Sequence, residues 1–421
     1  MTDPLLEFED LQVHFPVYKG FVQRLLGGGD VRVHAVDGVS FALQEGEVFG
    51  LVGESGCGKS TIARTLVGIA RATGGHFRFR GQDVTDPDRK TLFHLREQIQ
   101  MIHQDPHAAL SPAMTVGQAI SDVIRVHGVR SESEGAAQAP SEEQVREAVY
   151  RVLEEVDLRP PSFFYTKFPD ELSGGQKQRV VLGRVLALRP SVVVADEPLA
   201  MLDMSVRARM LEFLLELKAR FGLTYVFITH DLATAKFVCD RIAIMYLGRI
   251  VEMGPAKEIY ADPKHPYTRA LLAAIPIPDP TKRRTQELPR GEVPDAVHPP
   301  AGCRFHPRCP VALPTCGWEG RDLLDFLEER WLDPEAEKRE AALGPIEAWD
   351  AEDLEAGRPV EGSGDAEKRL LDSSLASAPA SLREAIDRIS LEEGELRVTF
   401  RAPAKLEPKK VGDRIVECLL Y

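Results

Sequence analysis

The feature that most restricts this chain is the run Gly53-Glu-Ser-Gly-Cys-Gly-Lys-Ser60, which fits G-x-x-x-x-G-K-[ST] and follows the apolar run Glu47–Val52. Buried strand, glycine-rich turn and helix form the context in which that spacing binds phosphate. The glycines let the backbone turn tightly and aim N–H groups at phosphate oxygens. Lys59 is the residue type that reaches the β- and γ-phosphates, and the Ser60 hydroxyl the type that ligates Mg²⁺. The helix expected over Ile62–Ala70 adds the positive end of its dipole. The candidate phosphate-binding residues are therefore Gly53, Glu54, Ser55, Gly56, Cys57, Gly58, Lys59, Ser60 and Thr61.

The surrounding pattern supplies the rest of a fold. Residues 5–15 and 31–43 read as strands around the loop Gly27–Gly29. Ser191–Asp196 and Leu223–Thr229 are short apolar runs, and Ala208–Phe221 is an amphipathic helix between them. Apolar strands alternating with helices predict a parallel sheet covered on both faces. Residues 105–185 are mostly helical in pattern, interrupted by the polar stretch Arg130–Ser141, which reads as a surface loop. Pro276–Pro300 reads as a linker.

Two further motifs carry chemistry. Asp196 closes a buried strand and is placed to hold a Mg²⁺ shell. Glu197 follows it. Alone it would pass for a solvated loop carboxylate; beside a phosphate loop it is a candidate general base. Leu172-Ser-Gly-Gly-Gln176 opens a helix and makes a second anion-binding N-terminus. One chain does not need two such ends for one γ-phosphate. Two chains do, each nucleotide being held between the phosphate loop of one and this motif of the other.

With these motifs in place, the sequence resembles the ATP-binding subunits of ABC transporters over about residues 5–318 and the last few. The family's motifs occur in order: Walker A at Gly53–Ser60, the Q-loop at Gln104, and the signature at Leu172–Gln176. Walker B follows at Asp196-Glu197, the end of the D-loop at Leu202-Asp203, and the switch histidine at His230. The resemblance implies a P-loop α/β ATPase with a parallel-sheet core, an antiparallel β part, a helical subdomain at about 105–185 and a cysteine-bearing C-terminal extension.

Carried over by resemblance, Phe15 stacks on adenine and Val36 packs near the ribose. Ser60, Gln104 and Asp196 hold Mg²⁺. Ser173, Gly174, Gly175, Gln176 and Asp203 serve the opposite subunit's nucleotide. Glu197, His230 and Gln104 are the catalytic group. Phe15 has a simpler reading as a core aromatic, since an insertion at about 17–31 separates it from the phosphate loop. The sequence departs from the family at Ala200-Met201, where serine-alanine is usual, and at His103, where an aromatic is usual.

Narrower stretches look like the second ATPase type of the oligopeptide/dipeptide importers: VHFPVYKG, VHAVDGVSF, IHQDPHAALSP, MYLGRIVEMGP and HPYTRALLAAIPIPDP. That implies two transmembrane permease subunits, a second ABC ATPase subunit, an extracytoplasmic peptide-binding protein, and a peripheral position on the cytoplasmic face of the membrane. Nickel and sugar importers look similar. A non-transport ABC ATPase and an ATP-binding regulatory subunit with weak turnover are the alternatives from other classes. The expected divisions are 1–262, nucleotide-binding; 263–318, importer C-terminal segment; and 319–421, acidic extension.

Composition argues against nucleic acid as a partner. The 421 residues carry 52 basic and 65 acidic side chains, where a nucleic-acid-binding surface asks for a basic surplus. The N-terminal MTDPLLEFED lacks the plan of a signal peptide. No run approaches the ~18–20 apolar residues of a membrane-spanning helix. The charge is uneven: Gly317–Tyr421 holds 26 acidic and 15 basic residues, against 39 and 37 in the first 316. That last part contains Trp318, Trp331 and Trp349, with helix-like stretches at 321–331, 366–372 and 381–389 and a strand-like one at 395–401. It is expected to be a solvated, partly ordered addition; the sharper reading is a docking surface built around the tryptophans.

Of six cysteines, Cys57 suits a tight turn and Cys239 an apolar core. Cys303, Cys309 and Cys316 are closely spaced, as soft metal ligation requires. Some members of the resembled family look like iron–sulfur proteins in this segment. By that resemblance Cys303, Cys309, Cys316 and Cys418 are candidate ligands of a [4Fe–4S] cluster. Zinc on the same residues, or a metal-free cap, stand beside it, because thiolate spacing selects soft ligation but not the metal.

Overall fold

A computed structural model describes residues 3–17, 31–127, 140–275, 289, 291–360 and 362–421. The Gly27–Gly29 loop, most of the Arg130–Ser141 stretch and most of the linker lie outside the described residues. The chain divides into two compact units, Met1–Ala261 and Asp262–Tyr421.

In the first unit, β1 (Leu6–Pro16), β2 (Arg32–Leu43), β4 (Gly74–Phe79) and β5 (Gln82–Asp83) form an antiparallel sheet in the order β2-β1-β4-β5. The second sheet uses β3 (Val48–Val52), β6 (Ile99–Ile102), β7 (Val192–Asp196), β8 (Thr224–Thr229), β9 (Arg241–Tyr246) and β10 (Arg249–Pro255). Their order within the unit is β10-β9-β3-β8-β7-β6, with β9, β3, β8, β7 and β6 parallel. Every residue of β3 and β8 is buried, as continuous apolar strands covered on both faces must be. This layout puts the C-terminal ends of β3, β7 and β8 side by side, where the loops that carry the motifs begin.

Helices Val116–His127, Glu142–Glu155 and Gly174–Leu186 make the helical part expected over 105–185. The helix after the phosphate loop runs Lys59–Leu66, shorter than Ile62–Ala70. Gly68, at φ +67°, takes the chain out of helical geometry there.

The second unit overturns the expectation of a partly ordered tail. Strands β11 (Asp350–Glu352), β12 (Glu355–Pro359), β13 (Ile386–Glu392) and β14 (Glu395–Phe400) form an antiparallel sheet in the order β11-β12-β14-β13. Helices Gly320–Trp331 and Asp365–Leu375 contribute to the same core. Leu323, Leu327, Leu371, Leu396 and Val398 are fully buried with Trp318 and Trp349. Two of the tryptophans are thus core, not the anchors of a docking surface, and Trp331 donates its indole N–H to Glu340. Average acidity hid the pattern: Leu396, Val398 and Phe400 alternate inward with polar neighbours, and period-two alternation suffices for one buried face. The helix expected at 381–389 ends at Ala385, and Ile386–Glu392 pairs with β14 instead. The hairpin of β15 (Lys409–Val411) and β16 (Arg414–Val416) precedes Cys418.

Candidate active site

The phosphate loop folds as glycine requires at two positions. A Cβ on Gly53 would sit 2.3 Å from the Met245 carbonyl oxygen. One on Gly58, at φ +106°, would sit 2.1 Å from that of Ala35. Side chains there would force the loop open. Lys59 is buried, and its Nζ donates to the carbonyls of Gly53 and Glu54 at 2.8 Å each. It also lies 3.6 Å from Cys57 Sγ. Burial pushes the Cys57 thiol up, with Lys59 pulling the other way, so Cys57 is a packed turn residue. Ser55 and Gly56 remain exposed at the mouth of the loop.

Ser60 Oγ donates to Asp196 Oδ1 at 3.3 Å, bringing together two of the three groups assigned to Mg²⁺. Burial pushes the Asp196 carboxyl up, the Ser60 hydrogen bond opposes this, and the Glu197 charge adds to it. A cation at this point would favour the charged form.

Glu197 lies just past β7 at φ +46°, a left-handed conformation that costs a non-glycine residue on the order of 1–3 kcal/mol and clusters at functional sites. Its own N–H donates to the Ile228 carbonyl at 3.0 Å. Glu197 Oε2 accepts from Gln104 Nε2 at 3.1 Å, and Oε1 lies 2.9 Å from His230 Nδ1. The three residues assigned to catalysis thus meet around one carboxylate.

Ser173 caps the helix Gly174–Leu186. Its Oγ accepts from the Gln176 N–H at 3.3 Å, and the Gln176 side chain accepts from the Ser173 N–H at 2.9 Å. Ser173 and Gly174 are exposed, and the group shares a surface pocket with Met201, Leu202 and Asp203. Asp203 caps the next helix through the Val206 N–H at 3.2 Å. Arg207 was not singled out by any motif. Its Nε donates to the Leu202 carbonyl at 2.7 Å and its Nη2 to that of Ala200 at 3.2 Å, holding the Ala200–Asp203 turn where the usual serine is missing. An arginine on a charged helix gives no sequence signal of this.

Phe15 is 41 % exposed, open for a ring to stack rather than part of the core. Val36 is a correction. It is fully buried among Val13, Val39 and Met245, so it offers no surface to a ribose; its place on the inward face of β2 sends it into the core.

In the second unit none of the cysteines is in a disulfide. Burial pushes the Cys303 thiol up to about 12. A backbone hydrogen bond from Phe305 opposes this, and the neighbouring Cys316, Cys418 and Cys309 add to it. Burial likewise raises Cys316, against the Leu313 N–H that donates to its Sγ at 3.2 Å; Cys418 is again a neighbour. Chain positions 303 and 418 are thereby brought together. Among the described residues, no three cysteine sulfurs lie within 4.8 Å of one another.

Two family profiles match the chain: ABC transporter over residues 36–200, and oligopeptide/dipeptide transporter, C-terminal region, over residues 251–316. The oligopeptide transport ATP-binding protein OppF of Escherichia coli is 42% identical, covering 74% of this chain and 90% of its own length. The putative oligopeptide transport ATP-binding protein YkfD of Bacillus subtilis is also 42% identical, covering 77% and 93%. The di/tripeptide transport ATP-binding protein DppF of Pseudomonas aeruginosa is 41% identical, covering 78% and 96%. Among solved structures, cbiO1 of Clostridium perfringens, described as part of an ABC transporter complex, is similar with a TM-score of 0.50 at 29% identity, over 62% of this chain and 92% of that one. With its phosphate loop, its Leu172–Gln176 motif, Glu197 and His230 in one unit, the chain belongs to the ABC transporter ATP-binding proteins of the oligopeptide/dipeptide family.

Proposed function

We propose that this chain hydrolyses ATP to power uptake of di- and oligopeptides, as a peripheral subunit on the cytoplasmic face of the membrane. Residues 1–262 bind the nucleotide. The partners are two transmembrane permease subunits, a second ABC ATPase subunit and an extracytoplasmic peptide-binding protein. Among the described residues no helix is long and apolar enough to cross a membrane, so movement of solute is assigned to those partners.

The observation that carries the reading is the convergence of Gln104 and His230 on Glu197. ATP enters against the phosphate loop, where N–H groups and Lys59 take its β- and γ-phosphates. Lys59 must exchange its contacts with Gly53 and Glu54 for phosphate oxygens. Ser60, Asp196 and Gln104 would hold Mg²⁺, which neutralises charge on the phosphates. The signature end of the second ATPase subunit closes over this γ-phosphate, as the Ser173–Gly175 end of this chain closes over that of the second subunit. Glu197 then takes the proton of the attacking water as the water oxygen bonds to the γ-phosphorus and ADP leaves, with His230 holding the γ-phosphate. Peptide-stimulated ATP release of phosphate by the complex in liposomes is the test. Stimulation by di- and oligopeptides loaded on the binding protein is expected; stimulation by nickel or a sugar alone would reassign the solute.

Cys303, Cys309, Cys316 and Cys418 supply four thiols of the kind that would hold a [4Fe–4S] cluster. A tetrahedral zinc–thiolate site needs sulfurs about 3.8 Å apart, from Zn–S bonds near 2.3 Å. Zinc on the same thiolates is the alternative, because their spacing selects soft ligation but not the metal. Such a cluster would brace the second unit or sense redox state; hydrolysis does not require it.

A further inference from the structure

Three donor groups outside the catalytic constellation converge on the antiparallel sheet of the first unit. His14 on β1 stands directly across from His34 on β2, with ring centroids 4.2 Å apart. His14 Nε2 lies 2.8 Å from Asp37 Oδ1, and His34 Nδ1 lies 3.7 Å from the same oxygen. One ligand atom from each residue falls within 4.8 Å of the other two.

The backbone has been bent to bring this about. Residues 34 and 37 are three apart, and in a regular strand they would face opposite sides. The ladder slips between the pairs Val13–Val36 and His14–His34, leaving Ala35 as an extra residue. A one-residue bulge re-aims everything beyond it. His34 now pairs with His14 and Asp37 with Gln12, and positions 12 and 14 share a face. The bulge is also tied to the phosphate loop. The Asp37 N–H donates to the Gly248 carbonyl at 2.9 Å, and the Gly248 N–H to that of Cys57 at 3.0 Å. The Ala35 carbonyl fills the space a Cβ on Gly58 would need.

Two imidazoles and one carboxylate are a donor set for divalent transition cations, zinc above all. The side chains of His14, Asp37 and His34 are 13%, 17% and 31% exposed, sheltered but reachable. Arg249 Nη2 lies 4.0 Å from Asp37 Oδ2, the other carboxylate oxygen. We propose that His14 Nε2, His34 Nδ1 and Asp37 Oδ1 bind a divalent transition cation of the zinc type, with water completing its shell. The site lies beside the phosphate loop, and none of its three donors is a cysteine.

Cobalt(II) titrated into the nucleotide-free full-length chain is the test, because its spectrum reports the donor atoms. A thiolate site gives an intense sulfur-to-cobalt charge-transfer band in the near ultraviolet; this site gives only weak visible bands, abolished by added zinc. The expected result is such a site in the native chain and in Cys303→Ser, weakened at least about tenfold in His34→Ala and Asp37→Asn. His34→Gln, with circular dichroism to check folding, serves in place of an alanine variant that does not fold. Cobalt bound by His34→Ala or His34→Gln with native affinity, or with thiolate bands alone, would overturn the proposal.

Discussion

His230 Nδ1 lies 2.9 Å from Glu197 Oε1, while the histidine side chain remains 63% exposed. The imidazole is thus tied to the carboxylate and still open to solvent. On the mechanism proposed above, the imidazole turns from carboxylate to phosphate as nucleotide binds, which frees one oxygen of Glu197 for water.

His230→Ala removes that exchange. Hydrolysis should fall about 100-fold, the scale on which loss of one preorganised hydrogen-bond donor acts. ATP affinity should stay near the native value, because the phosphate loop is untouched. Parallel turnover and nucleotide-binding measurements check both halves.

The cysteine quartet predicts a colour. Chain purified without oxygen should carry about four irons with matching sulfide, the stoichiometry of the cluster, and absorb in the visible. Cys418→Ser should lose both, although residue 418 is more than a hundred positions from the other three. Zinc in place of iron, or a colourless native chain, would count against the cluster.

The second unit should be acid-sensitive through His265. This histidine is fully buried and caps the helix Pro266–Ala273 through the Tyr267 N–H at 3.1 Å. Burial, with help from Arg269, holds its folded pKa down at about 3 from an ordinary 6.5. Between those values the unfolded chain binds the extra proton, so stability is full above pH 6.5 and declines as pH falls toward 3. Thermal unfolding followed across that window should show the decline, and His265→Asn, which keeps a cap, should flatten it.

The acidic segment should behave as a folded core rather than a solvated tail. Leu371→Ala empties a fully buried position and should cost about 2–5 kcal/mol. Denaturant unfolding of the second unit reads the loss, and ATP affinity should not change.

Much of the site was readable because its chemistry is local. Gly53, Gly58, Lys59, Ser173 and Glu197 act from backbone positions set by a turn or a helix end, and such positions leave fixed spacings. What the sequence concealed depends on partners distant along the chain. Val36, given to the ribose by resemblance, is turned inward by the pleat of β2. The bulge at Ala35 follows from a register slip against β1, and Arg207 shows its role only once two carbonyls of the preceding turn point at it. In the last quarter, counting charge obscured alternation: residues 395–400 are half polar, yet their apolar half closes a core with Trp318 and Trp349.

The decisive variant is Glu197→Gln in the complex isolated from membranes, with peptide-stimulated phosphate release and peptide uptake measured together. Removing the base should lower turnover by about 10²–10⁴-fold, abolish uptake and leave ATP binding intact. A Glu197→Gln complex that hydrolyses ATP in response to peptide at the native rate would contradict the assignment of Glu197, and with it the hydrolytic role of this chain.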